Sequence, residues 1–185
     1  MTASVDPTFT FTVAAVNSGG SVNSATTNVT TTATTVPFQT LSSGTPKIAA
    51  HDLTVTTNAT AGYVITVKAS DPPLADGSKN IDTFTGTNAS PTTWSAPAGS
   101  SASVNTGFFG YTTNDSSLCT GTATRFTSSG GNKWSGTTTS PHEVACSTGS
   151  VSAETTRVGW QTEVNAVQPP GSYSGVVTLV ATPTY

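Results

Sequence analysis

Two cysteines are the strongest chemical signal in this sequence of 185 residues. Cys119 and Cys146 bracket a 28-residue segment, and an even number of cysteines predicts one disulfide bond in an oxidising compartment. Closing a loop of that size stabilises a fold by about 3–4 kcal/mol in the chain-entropy treatment. Two buried free thiols are the alternative. A zinc site is disfavoured because His142, the nearest histidine, gives no repeated ligand spacing.

A run of oxygen-bearing side chains at alternate positions is the second candidate site. Its members are Asp76, Ser78, Asn80 and Asp82. Because Ca²⁺ binds hard oxygen ligands, this spacing predicts a weak calcium site that orders the surrounding segment. The alternative is a polar turn with Asp-Gly at its tip, since no bidentate Glu follows at the EF-hand distance. No other cofactor is expected.

Arrangements of residues that carry out catalysis are mostly absent. His142-Glu143 as half of an acid–base pair and two carboxylates that converge in space are the alternatives left to an enzyme. Neither His51 nor His142 stands with an acid and a nucleophile in a known motif. The sequence also contains no Gly-x-Ser-x-Gly elbow, no His-Glu-x-x-His pair and no phosphate-binding loop. We therefore expect a protein that is not an enzyme.

Two tryptophans suggest a binding surface. Trp94 and Trp134 lie among Ser, Thr, Asn and Gly, where planar rings stack on sugars in carbohydrate-binding modules. Glycans are therefore a candidate partner. Burial in the core is the alternative, because large aromatic side chains in a loop-rich segment usually form its core.

Charge and composition limit the partners and the compartment. Only six residues are Lys or Arg and the formal net charge is −3, so there is no basic face for nucleic acid. No apolar run approaches the ~20 residues of a transmembrane helix. Thr and Ser together account for 64 residues, a composition typical of secreted surface proteins. We expect a secreted protein whose signal peptide has been removed.

The residues that could carry chemistry must be positioned by β-strands, because the composition disfavours helices. Helix-forming residues are scarce, with five Leu, three Glu and one Met, whereas Thr, Val and aromatic residues favour strands. In the N-terminal segment, Val5, Phe9, Phe11 and Val13 occupy one face of a predicted half-buried strand. Such a strand either begins the protein's own sandwich or completes the sheet of a neighbouring copy.

Two further segments predict β-hairpins. Residues 53–67 form two alternating runs around a turn rich in Asn, Thr and Gly. Residues 157–182 repeat this pattern around the turn Gln168-Pro-Pro-Gly171. Between them, the pattern weakens over residues 71–155, which nevertheless hold seven of the fourteen aromatic residues and both cysteines. We interpret this segment as a folded, disulfide-stapled insertion of short strands and long loops.

Several stretches resemble a group of Thr/Ser-rich secreted proteins of uncultured bacteria. They are residues 32–38, 52–63, 84–94 and 168–175. The resemblance implies a signal peptide and a surface location, and it supplies no catalytic residues. A β-sandwich with an extended N-terminal strand is also similar in architecture to subunits of pili and matrix fibres that assemble by donating a strand.

The sequence thus predicts a single all-β domain over residues 1–185. The expected architecture is an antiparallel β-sandwich, immunoglobulin-like or jelly-roll-like, with the insertion at 71–155. The expected function is structural: a self-assembling surface or matrix filament subunit whose N-terminal strand pairs with a neighbouring copy. A carbohydrate-binding or adhesive module that uses Trp94 and Trp134 is the alternative.

Overall fold

The computed structural model describes all 185 residues and confirms the all-β class. Its only helical element is a 3₁₀ turn at Ser128–Gly130, and no helix is long and apolar enough to cross a membrane. Thirteen strands, β1 to β13 in chain order, are Phe9–Ala15, Ser21–Val22, Ala25–Thr26, Lys47–Thr57, Tyr63–Ala69, Leu74–Asp76, Lys79–Thr83, Thr92–Thr93, Gly107–Thr113, Lys133–Gly136, His142–Ser147, Val151–Val164 and Val177–Pro183.

The larger sheet has eight strands in the order β1-β4-β12-β9-β10-β8, with β7 pairing in parallel with β9 and β6 pairing with β7. The long strands β4 and β12 lie next to each other near its centre, in a register that places Asp52 opposite Arg157. Strand β1 pairs antiparallel with β4 along its whole length and forms one edge of this sheet.

The smaller sheet has the order β11-β5-β13 and covers part of the inner face of the larger sheet. Strand β13 is one of its two edges. The core lies between the sheets, where Leu53 and Val55 from β4 and Ile65 and Val67 from β5 are at most 1% exposed. A short ribbon of β2 and β3 packs on the outer face of the larger sheet, where Val22 lies against Gly159.

Neither of the two predicted hairpins exists, although their strands do. Strands β4 and β5 belong to different sheets, and so do β12 and β13. The alternating side chains therefore face each other across the core rather than across a turn. The connection 58–62 crosses from one sheet to the other, and Gly62 (φ +80°) lies so close to Ser147 that an added Cβ would stand 1.9 Å from its carbonyl oxygen.

Residues 71–155 are part of the two main sheets and do not form a separate insertion. Strand β9 lies between β12 and β10 in the larger sheet, and β11 is an edge of the smaller one. Tyr111 and Val144 of this segment are fully buried in the main core. All seven residues of β9 are buried. Its sequence therefore lacks the alternation of polar and apolar residues by which a half-buried strand is recognised.

Candidate functional site

A cleft with a volume of about 1330 Å³ lies between the two sheets. We call it the side cleft. Its walls include Val13 of β1, Val177 and Leu179 of β13, and the loop of residues 33–43. The two edge strands β1 and β13 therefore both border it.

Aromatic side chains from distant parts of the sequence meet at the base of the side cleft. The rings of Phe109 and Trp160 are parallel, with centroids 6.4 Å apart and an interplanar angle of 4°. Phe38, from the loop, meets Phe109 edge-on at 6.1 Å. Phe109 and Trp160 are buried, whereas Phe38 is half-buried. Phe38 therefore covers the edge of the aromatic base on the solvent side.

His51 is the one titratable imidazole at this base, and its hydrogen bonds fix its tautomer. The indole Nε1–H of Trp160 donates to His51 Nδ1 at 2.9 Å. Because Nδ1 accepts, Nε2 carries the proton and donates to the carbonyl oxygen of Thr32 at 2.7 Å. Burial lowers the pKa of His51, against smaller raising effects of the Thr32 hydrogen bond and the charge of Asp52. A neutral ring therefore links the base of the cleft to the start of the loop.

The lining of the side cleft contains no Asp, Glu, Lys or Arg. His51 is engaged on both nitrogens by an indole and a backbone carbonyl. Aromatic, aliphatic and proline side chains dominate the walls. This arrangement favours the binding of uncharged, apolar groups.

A strip of incompletely buried apolar side chains runs along the same side of the sandwich. We call it the open seam. The strip consists of inward-facing residues of the two edge strands, all half-buried: Phe9, Phe11 and Val13 of β1, and Val177, Leu179 and Ala181 of β13. Each of these strands is hydrogen-bonded on one side only, and neither contains a charged residue. The seam therefore presents both apolar surface and unpaired strand backbone.

The N-terminal strand pairs within its own chain and begins at Phe9, so Val5 is not part of it. Val5 is 88% exposed. Pro7 has no backbone N–H to extend the pairing. Asn58 holds the chain just before the strand, accepting from the N–H of Thr8 and donating to the carbonyl of Asp6, both at 2.8 Å.

The predicted disulfide bond between Cys119 and Cys146 is confirmed. Beside it, the buried carboxylate of Glu143 accepts the backbone N–H of Cys119 at 2.6 Å and that of Thr120 at 3.0 Å. Arg125, also buried, lies 3.7 Å from the same carboxylate. Cys119, Glu143 and Cys146 have the proximity of metal ligands, but both sulfur atoms are bonded to each other. Sequence analysis missed this ion pair because its partners are 18 positions apart and match no motif.

The four residues predicted to bind calcium do not converge on one point. They lie on the hairpin of β6 and β7: Asp76, Ser78, Asn80 and Asp82. The Asp76 carboxylate pairs with Lys79 at 3.2 Å. The Asp82 carboxylate instead accepts the backbone N–H of Asn105 at 2.7 Å. The two acids thus face different partners.

The two candidate sugar-stacking tryptophans have different environments. Trp134 is completely buried and donates its Nε1–H to Asn132 at 3.0 Å, so it cannot stack on a glycan in this fold. Trp94 is half-buried and stacks on Phe84 with centroids 4.4 Å apart. Its Nε1–H donates to Glu163 at 2.7 Å. Only Trp94 has ring surface available to a ligand.

Comparison of the sequence and fold with protein families, curated proteins and solved structures gives no match. The resemblance to Thr/Ser-rich secreted proteins therefore stays a prediction. The geometry of the open seam and the side cleft is the basis for the functional argument.

Proposed function

We propose that this protein is an extracellular structural subunit that assembles into filaments by adding a strand of one copy to the open seam of the next. The observation that carries the proposal is the pair of uncharged, unpaired edges, β1 and β13, on either side of half-buried apolar residues. Extended segments add to such edges through backbone hydrogen bonds, and alternate side chains enter the apolar strip. The disulfide supports an oxidising, extracellular compartment.

The N-terminal eight residues are the proposed donor strand. They alternate strictly, with Met1, Ala3, Val5 and Pro7 in one phase and Thr2, Ser4, Asp6 and Thr8 in the other. They belong to no strand of their own chain, and the hydrogen bonds that join Asp6 and Thr8 to Asn58 are contacts that donation would break. An alternating segment without a sheet partner has the pattern that a free edge requires.

Strand β13 is the proposed acceptor. The sheet that contains it has only three strands, and its inward residues Val177 and Leu179 border the side cleft. A fourth strand beside β13 would extend this sheet and cover the apolar seam. Because donor and acceptor are different surfaces, the contact is heterologous, and repetition without ring closure gives an open filament.

Charge placement on the donor tests this proposal. Val5→Asp puts a charge in the apolar phase of the donor, and Ser4→Asp puts the same charge in the polar phase as a matched control. Electron microscopy and sedimentation should show filaments for the wild type and S4D, and monomers for V5D. Deletion of residues 1–8 should also give folded monomers, because β1 begins at Phe9. Filaments of undiminished length and number in V5D and in the deletion variant would refute the proposal.

Glycan binding is a second candidate function, favoured by the position of Trp94. Its ring is held against Phe84 and its Nε1–H is bound by Glu163, so a partly exposed indole is presented in a fixed orientation. A rigid aromatic surface of this kind is suited to sugar stacking. This candidate rests on one ring, since Trp134 is buried.

A further inference from the structure

We infer that the loop of residues 33–43 is a displaceable plug that forms one wall of the side cleft and must swing aside before a neighbour's strand can add to β13 and cover the cleft. The inference rests on the proposed function and specifies how it is regulated. The loop and β13 are walls of the same cleft, so the position of the loop sets how much space an incoming strand has beside β13.

Side chains alone hold the middle of the plug, residues 36–41, whereas Thr34 and Thr35 are hydrogen-bonded to Thr32 at its start. Val36, Phe38 and Leu41 are half-buried and pack on the main core, whereas the residues between them are exposed. No hydrogen bond joins residues 33–43 to either sheet, and the only backbone hydrogen bond confined to them runs from Phe38 N–H to Val36 at 3.1 Å. A segment without ladder hydrogen bonds can leave its site without breaking a sheet.

Both ends of the plug are anchored by hydrogen bonds. At the start, His51 Nε2 donates to the Thr32 carbonyl at 2.7 Å, and the N–H of Thr31 donates to Val16 at 3.1 Å. At the end, the N–H of Gly44 donates to the Val164 carbonyl at 2.9 Å. Fixed ends and an unbonded middle let the loop swing out and return to the same place.

The plug and the donor strand both present uncharged, apolar side chains to the cleft. The plug places three apolar side chains against an uncharged cleft. The proposed donor offers the apolar phase of residues 1–8, with its single acidic residue, Asp6, in the opposite phase. Replacing one with the other buries no charge and adds the backbone hydrogen bonds that the plug lacks. The plug therefore shields Phe109 and Trp160 in the unassembled subunit and yields to a strand.

Weakening the plug should strengthen donor binding. A fluorescein-labelled peptide of residues 1–8 is titrated by anisotropy against the full chain, Phe38→Ser, Leu41→Ser and the exposed-site control Thr40→Ser, each at a concentration below assembly. Loss of an apolar anchor raises the open fraction, so F38S and L41S should bind the peptide about tenfold more tightly than wild type. T40S should bind like wild type. Two separate anchor variants guard against one that fails to fold, and a thermal melt identifies such a variant.

Access of solvent to Trp160 reports on the plug without any donor. Hydroxyl-radical oxidation, located by peptide mass spectrometry, should modify Trp160 about tenfold faster in L41S than in wild type or T40S, with the buried Trp134 as the internal reference. Equal Trp160 rates in L41S and wild type would overturn the plug. Equal peptide affinity in both would also overturn it while leaving strand addition intact. Absence of peptide binding in every variant would refute the proposed donor, and with it the gating role of the plug.

Discussion

Removal of the Cys119–Cys146 bond should destabilise the protein by an amount that follows from the length of the loop that the bond closes. The bond joins residues separated by 27 positions, for which the chain-entropy relation gives about 3.6 kcal/mol at 25 °C. The double variant C119A/C146A should therefore unfold at a correspondingly lower urea concentration. For a domain of this size the melting temperature should fall by about 7–14 °C.

The structure identifies which region should open first in that variant. The segment between Cys119 and Phe126 is held to the core by the disulfide and by the Glu143–Arg125 pair. Phe126 is completely buried against the ring of Tyr111, with centroids 5.9 Å apart. Without the covalent bond, opening of this segment exposes Phe126, so hydrogen exchange there should become faster than in β4.

Urea unfolding, followed by near-ultraviolet circular dichroism, and calorimetry measure the predicted loss. Thr148→Ala, an exposed substitution close to Cys146, is the control and should change stability by less than about 0.5 kcal/mol. A loss below about 1 kcal/mol in C119A/C146A, with an unchanged urea slope, would refute the entropic reasoning. It would show instead that the ion pair and the packing of Phe126 hold the segment without the bond.

Two further predictions concern His51 and the tryptophans. Because burial lowers the pKa of His51 below its ordinary value of 6.5, the stability contributed by its neutral ring is complete above pH 6.5 and is lost as pH falls through the lowered pKa. Melting temperatures from pH 8 to pH 5 should therefore decrease less in His51→Gln than in wild type or His142→Gln; parallel curves for all three would contradict this assignment. Trp134→Ala should lose about 3–5 kcal/mol of stability because the ring is completely buried, whereas Trp94→Ala should lose less and, if glycans bind, should lose binding on a glycan array. An equal loss of stability in the two variants would contradict this difference in environment.

The sequence predicts inward faces well and strand partners poorly. The alternation in residues 53–67 predicts one buried face, and Leu53, Val55, Ile65 and Val67 on that face are all buried. Alternation has a period of two in any pairing, so it says which side chains share a face but not which strand lies alongside. The five-residue connection 58–62 is also longer than the two-residue turns that most strongly indicate hairpins. These strands consequently face each other from separate sheets.

The side cleft could not be predicted from the sequence. Phe38, Phe109 and Trp160 lie more than fifty positions apart from one another, and the order of strands alone brings them together. Strand β9, which carries Phe109, is buried on both faces and has no alternation to reveal it. The one local signal is the apolar Val-Pro-Phe at residues 36–38 after a tract of threonines, a pattern typical of an extended segment that says nothing of a cleft.

The low charge content of the sequence matters most at the edge strands of the fold. Exposed edge strands are usually protected from pairing with other chains by charged side chains, by proline, or by a covering loop. The edge strands β1 and β13 carry no charged residue, and their one proline, Pro183, is the last residue of β13. The loop 33–43 lines the same cleft as β13 and is bound to neither sheet by hydrogen bonds. Charged residues would protect such an edge permanently, but a loop held by three apolar side chains protects it reversibly. A subunit that must stay separate until a donor strand arrives requires reversible protection of its edge. The absence of charge on β13 therefore supports its proposed role as the acceptor.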